Sequence, residues 1–238
     1  CNYLYNGGNG HYYITKLDSS FQLQWCKEIG NTHAYTPQSF QTCFDGTFII
    51  CGIMLDSTGY SNMFLTKTDS MGNILWTSIF GGSEHDHGYC VKQINDGGFI
   101  VSGKTNIAPT DEAYIVRTDI NGNLLWSTTV RYTLNVSGNY ARFIDQTNDN
   151  GFIACGNVTG FGAGNTEALM MKLDSSGNVQ WTKTYGLAKG DQLMAAYQTA
   201  DNGFLMAGTT DTALSGTNRE TLLLKTDSSG NVLWSKIF

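Results

Sequence analysis

Proline and charge are what this chain has least of. Only two prolines occur in 238 residues, and Asp, Glu, Lys and Arg together make up 14%, against roughly 25% in an ordinary soluble domain. Scarce proline suits a chain whose backbone donors are nearly all wanted in strand ladders. The net charge is -6 with a pI near 5.0, and no cluster of Lys and Arg interrupts it, so a nucleic acid or an anionic membrane surface finds no electrostatic footprint. No apolar run approaches the roughly 20 residues of a membrane-spanning helix, and the reading expects no signal peptide in the chain as given. No window of helical length keeps a 3.6-residue hydrophobic period. Missing too are a Gly-x-Ser-x-Gly elbow, a His-Glu-x-x-His motif and any metal or redox spacing among the six cysteines. What is present in excess is glycine, 28 residues, alongside 41% hydrophobic and 12% aromatic residues, a composition that packs instead of staying disordered.

The five tryptophans reveal a repeat. Trp25, Trp76, Trp126, Trp181 and Trp234 lie 51, 50, 55 and 53 residues apart, and each closes a phrase of the form Lys67-Thr-Asp-Ser-Met-Gly-Asn-Ile-Leu-Trp76. A second phrase follows about 20 residues later, as in Asp96-Gly-Gly-Phe-Ile-Val-Ser-Gly103 and Asp149-Asn-Gly-Phe-Ile-Ala-Cys-Gly156. Both read as hairpins: short runs of β-formers flank Asp, Ser, Asn and Gly, which bond their own backbone or tolerate left-handed conformations. Strands are predicted at 63–68, 73–80, 88–94 and 98–105 in the second unit. A four-stranded unit of this length cannot bury both faces alone, and repeated units do so by stacking radially. The expected fold is all-β, a five-bladed β-propeller of four-stranded antiparallel blades in a single domain, 1–238. Its repeats are placed around 11–62, 63–112, 113–167 and 168–220, with 221–238 plus 1–10 as a closing blade shared by the N- and C-terminal strands, whose missing strand means either a chain cut from a longer protein, a blade completed by another polypeptide, or a blade that stays short.

The phrases Asp-x-x-Gly-Asn-x-x-Trp, Phe80-Gly-Gly-Ser-x-x-Asp86 and Asp96-Gly-Gly-Phe-Ile-x-x-Gly103 resemble the repeats of secreted bacterial propellers of the delta-60 and Ser-Asp-Gly-Gly type, found in Bacteroidota surface proteins linked to type IX secretion. The chain departs from that pattern at Phe21, where a turn glycine belongs, and at Val130-Arg-Tyr-Thr, which lacks the Gly-Gly pair. The resemblance implies a secreted or cell-surface binding or spacer module with no defined chemistry. It also implies O-glycosylation at Ser70 and Thr212, in Asp-Ser-Met and Asp-Thr-Ala segments. Two sequons place N-glycosylation candidates at Asn135 and Asn157.

Candidate sites follow from charge and spacing. Lys16, Lys67, Arg117, Lys172 and Lys225 each stand two residues before an Asp, on one strand face. They form either a ligand-binding ring of alternating charge lining a channel, or Lys/Arg pairs to a neighbouring blade with each Asp capping its own turn. Tyr3 and Tyr5 are candidate ligand contacts near the chain start. His85, Asp86 and His87 are the densest metal-ligand cluster, set against a turn role for Asp86. Cys26 and Cys43 are expected on adjacent strands of one blade, close enough for a disulfide. Asp111, Glu112, Glu167 and Glu220 read as loop solvation. Cofactors are expected to be none. The function expected is a non-catalytic structural, adhesive or ligand-binding module, with a protein or glycan at the cell surface as partner. Self-assembly into a filament, by strand complementation of the open blade, and a glycan-active enzyme are the alternatives.

Overall fold

The computed structural model describes residues 12–30, 33–82, 84–107, 110–132, 138–160, 166–186, 189–211 and 219–238. All regular structure in them is strand. β1 (Tyr12–Leu17) and β2 (Leu23–Ile29) form a two-stranded sheet, and β3 (Ala34–Thr42), β4 (Phe48–Leu55), β5 (Ser61–Thr68) and β6 (Ile74–Phe80) a four-stranded one in chain order. The same order recurs in β7 (Asp86–Gln93), β8 (Phe99–Ile107), β9 (Thr110–Thr118) and β10 (Leu124–Val130), and in β11 (Gly138–Gln146), β12 (Phe152–Thr159), β13 (Thr166–Leu173) and β14 (Val179–Tyr185). It recurs once more in β15 (Lys189–Gln198), β16 (Phe204–Asp211), β17 (Arg219–Thr226) and β18 (Val232–Ile237). Pairing inside each set is antiparallel, and one parallel bridge, Gly138 to Asp111, joins the second and third sets into an eight-stranded sheet. The first strands β3, β7, β11 and β15 neighbour one another in succession, so the sheets stand face to face in a propeller-like array.

The hydrophobic core is divided among the faces between sheets. Ile49, Cys51, Met63 and Leu65 of one sheet meet Val91, Phe99, Val101 and Val116 of the next. The opposite face of that next sheet, with Ile100 and Ile115, meets Ala141, Phe152, Leu169 and Met171. Ile153, Cys155 and Met170 in turn meet Leu193, Phe204 and Met206. Strands covered on both sides must be apolar on both sides, which is why charge is scarce. Among the described residues the last sheet is covered on one side only: Leu205 is 37% exposed, where its repeat equivalents Ile49, Ile100 and Ile153 are 0%.

Within the array the tryptophan phrases build locks between sheets. Asp69 accepts hydrogen bonds from the backbone N–H of Met71 and Asn73, and Gly72 takes φ +79°, closing the β5–β6 turn. The glycine also makes room for a neighbour. A Cβ on Gly122 would lie 2.6 Å from the Trp76 ring and one on Gly177 2.7 Å from Trp126. Trp76, Trp126 and Trp181 each meet a phenylalanine of the following sheet, Phe99, Phe152 and Phe204, at a steep angle. Gln93, Gln146 and Gln198 add a hydrogen bond apiece across the same three interfaces, from the backbone N–H of Phe44, Asn95 and Asn148.

The strand forecast for 63–105 agrees with β5 to β8 within two residues, but the sheets divide the repeat elsewhere. β6 and β7 belong to different sheets, whereas β8 pairs with β9. β17 and β18 complete a four-stranded sheet with β15 and β16, so they do not wait in an open closing blade; the two-stranded remainder is β1–β2, and residues 1–10 lie outside the described residues. The expected Cys26–Cys43 disulfide is also corrected. Cys26 is exposed on β2, Cys43 is buried just after β3 in another sheet, and both are free thiols.

Candidate functional site

The glycine that ends each second phrase sits inside a strand, opposite a β-bulge of the first strand. A Cβ on Gly52, Gly103, Gly156 or Gly208 would collide with the backbone oxygen of Thr36, His87, Tyr140 or Gln192. At these points the registers slip between Pro37 and Ser39, Gly88 and Cys90, Ala141 and Phe143, and Leu193 and Ala195. The extra residues, Gln38, Tyr89, Arg142 and Met194, are thereby freed from the ladder and re-aimed, the usual use of a bulge beside a functional site. They occupy one level of four neighbouring strands. Glycine in the strand interior was the signal in the sequence that could have found them.

Arg142 is the centre of what they gather. Its Nε donates to Asn157 Oδ1 at 2.9 Å, and its guanidinium lies 5.7 Å from the Tyr89 ring centre and 5.8 Å from that of Tyr140. Its two terminal nitrogens take no acceptor among the described residues. Tyr140 Oη donates to Asp111 Oδ2 at 2.9 Å; the same carboxylate accepts from Lys104 Nζ at 2.8 Å and from Asn106 Nδ2 at 3.0 Å. Burial pushes Asp111 up, but the hydrogen bonds from Lys104, Asn106 and Tyr140 outweigh it and hold the acid below its ordinary value. Burial, with the adjacent carboxylate, raises the Tyr140 phenol. Asp111 is therefore an oriented anion within a network, and Glu112 is buried and paired with Arg131, so neither is loop solvation.

Beside this network stands a serine between two imidazoles. Ser61 is buried, and its Oγ lies 2.9 Å from both His85 Nδ1 and His87 Nε2. Burial, helped by the Lys104 charge, lowers His87 to about 4. A histidine kept neutral in the fold but free to protonate when unfolded gives stability that is complete above about pH 6.5 and lost as pH falls toward 4. Asp86 and Asp145, pushed up by burial, work in the opposite direction below their own values. The acid limb of a stability–pH profile is expected to start near pH 6.5 and to cost on the order of 2 kcal/mol by pH 4 after allowance for partial exposure. His87→Gln should flatten it; an unchanged limb in that variant would assign the loss to other groups.

The remaining sequence candidates are placed as follows. The metal reading of His85, Asp86 and His87 is corrected: the histidines converge on Ser61, while Asp86 lies on the other strand face and accepts from the Gly82 N–H at 2.8 Å. Among the described residues no group of three or more metal-ligating side chains gathers. The cation ring is not a channel lining. Lys67, Arg117, Lys172 and Lys225 sit on third strands, and each pairs with the first-hairpin aspartate of its own sheet: Asp45, Asp96, Asp149 and Asp201. The aspartates two residues on, Asp69, Asp119, Asp174 and Asp227, cap their own turns, and Lys16 is exposed. Asn157 is buried and bonded to Arg142, which removes it as a glycosylation site. Ser70 is exposed in the β5–β6 turn, and Tyr3, Tyr5, Asn135 and Thr212 lie outside the described residues.

No protein-family profile matches the sequence, and no curated protein does. Solved structures match in shape. A protein of unknown function from Bacteroides caccae is similar over 97% of this chain and 78% of its own, with a TM-score of 0.57 and 13% identity. The likeness is one of fold. A GH43 endo-arabinanase from Bacillus licheniformis is similar over 85% of this chain and 78% of its own (TM-score 0.44, 12% identity). A phage phi92 endosialidase is similar over 99% of this chain and 48% of its own (TM-score 0.46, 12% identity). The expectation of a module without catalysis is withdrawn, because enzymes named for acting on glycans stand among the chains of similar shape, a likeness that is one of fold alone. The Bacteroides match agrees with the propeller resemblance as far as architecture goes.

Proposed function

We propose that the protein is a glycan-active propeller that takes a carboxylate-bearing saccharide at the bulge-aimed cluster. The observation that carries this reading is Arg142: fixed at Nε by Asn157, set beside two tyrosine rings, and offering both terminal nitrogens. A guanidinium fork matches a carboxylate in two parallel hydrogen bonds, and aromatic rings suit the apolar faces of a sugar. Tyr140 and Asp111 supply a nucleophile within hydrogen-bond reach of a base, the base being oriented in turn by Lys104 and Asn106. Attack by the phenol oxygen on the anomeric carbon passes its proton to Asp111 while the glycosidic C–O bond breaks. An aryl leaving group departs as its own phenolate, so that step needs no further acid. Water then attacks the anomeric carbon, the Tyr140 oxygen leaves as phenol with the proton held by Asp111, and the water's spare proton passes to solvent.

The test is turnover of 4-methylumbelliferyl glycosides, acidic (sialoside, glucuronide) against neutral (glucoside, arabinofuranoside). Release from an acidic member alone is expected. Arg142→Ala should lower kcat/KM about 10- to 100-fold, the worth of a charged hydrogen-bonded pair, and Tyr140→Phe should abolish turnover while leaving binding of glucuronate intact. Turnover of neutral members alone, or no binding of glucuronate or sialic acid, would sink the reading. Binding without turnover would remove the Tyr140 step and leave recognition standing.

The array itself we read as a five-bladed ring. β1–β2 carries the tryptophan phrase of the other units, with Trp25 packed toward Phe48 as the other tryptophans pack toward their phenylalanines, and so serves as the outer half of a fifth blade.

A further inference from the structure

At the ends of the strands away from His87 and Asp111, two clefts repeat residue for residue. One, of about 360 Å³, opens between the second and third four-stranded sets and is lined by Asn95, Asp96, Arg117, Asn150, Phe152 and Ser175. The other, of about 430 Å³, opens between the third and fourth and is lined by the equivalents Asn148, Asp149, Lys172, Asn202, Phe204 and Ser228. In each, a buried cation holds an aspartate whose side chain is more than half exposed, 63% for Asp96 and 55% for Asp149. The carboxylate is fixed in position while keeping oxygen lone pairs free for a ligand.

A second observation singles these clefts out. The position that glycine fills in the β3–β4 and β7–β8 turns, Gly46 at φ +78° and Gly97 at φ +88°, is asparagine in the two later turns. Asn150 and Asn202 hold φ +61° and +62°, a left-handed conformation that costs a side-chain-bearing residue more than it costs glycine, and both line the clefts. The interface between the first and second four-stranded sets has the Asp45–Lys67 pair and Phe99, but Phe44 and Gly97 replace the two amides. It is a natural control within the same chain.

We infer that these two clefts are equivalent binding sites for a neutral saccharide unit. Each offers a carboxylate and an amide to hydroxyl groups and a hydroxyl of its own, with the local charge already balanced by the Asp–cation pair. Two such sites on one face bind a branched or repeated glycan with an avidity that neither has alone. Independent of the Arg142 site, they would act as a substrate-holding surface.

The experiment is calorimetric titration of the whole chain with methyl glycosides of glucose, galactose, mannose and N-acetylglucosamine. Two equivalents of at least one glycoside are expected per chain, with Kd on the order of 1 mM. Asn150→Gly and Asn202→Gly restore the glycine found in the other two turns, so both variants should fold. Each should remove one equivalent and the double variant both, with glucuronate binding unchanged. No binding of any neutral glycoside, a stoichiometry of one or three, or stoichiometry unaffected by both variants would each overturn the inference. Loss of glucuronate binding in Arg142→Ala tests the other site alone.

Discussion

Gly156→Ala should cost about 3–4 kcal/mol, at the upper end of what overpacking does, and lower Tm by roughly 7–14 °C for a domain of this size. Its Cβ would fall on the Tyr140 carbonyl oxygen, with the Tyr140 carbonyl carbon at 2.9 Å and the Arg142 nitrogen at 3.0 Å. All three are backbone atoms, so no side chain can swing aside. The bulge must open or the register of β11 on β12 must shift by a residue, and either move takes Arg142 off Asn157. The variant is therefore expected to lose glucuronate binding as well as stability. Gly82→Ala is the control, because a Cβ there meets nothing within 4 Å. Thermal denaturation of the pair decides the matter; a Gly156→Ala midpoint within a degree or two of wild type would show that the bulge does not depend on the glycine.

Phe152→Ala is expected to cost about 4 kcal/mol, in the range for a buried phenylalanine that leaves a cavity. The ring is 1% exposed, packs at a steep angle on Trp126 with centroids 5.8 Å apart, and sits in the core shared by two sheets. Phe48 holds the same repeat position but is only half-buried, since the sheet ahead of it has two described strands instead of four. Phe48→Ala should accordingly cost about half as much or less. Denaturant titrations of both variants give the comparison, and equal losses would mean that the repeat position, not the covering sheet, sets the energy.

These two positions also show what could be read from the sequence. Phe152 belongs to a phrase whose alternation and turn residues announce a strand, and its burial follows from stacking alone. The bulge did not announce itself: Arg142 stands in a stretch with no repeated phrase, and only the in-strand glycine across from it carried a trace. Sheet boundaries were illegible for a related reason. The β4–β5 link, 56–60, and the β6–β7 link, 81–85, have the same length, yet the first is a turn within a sheet and the second a crossing between sheets. The partners of Lys67, Arg117 and Lys172 were missed because the bonding aspartate lies more than 20 residues upstream on another hairpin. The adjacent aspartate two residues on was the more obvious reading. Asp111 resembled a solvated loop acid until Tyr140, from the following sheet, was found against it.

Phe21 has a meaning for how such a ring assembles. At its turn position the other sheets keep a glycine so that the preceding tryptophan can settle on the backbone, while Phe21 takes φ +60° and is 82% exposed. In the proposed ring the preceding tryptophan is Trp234, itself 41% exposed. With a phenylalanine in place of the glycine, that junction lacks the ring-on-backbone fit of the other four, Trp25 on Gly72, Trp76 on Gly122, Trp126 on Gly177 and Trp181 on Gly230. A structure whose neighbours hold one another by nearest-neighbour contacts separates first where the contact is poorest. In the proposed ring, the joint between β1–β2 and the β15–β18 sheet is thus the one expected to part first under strain.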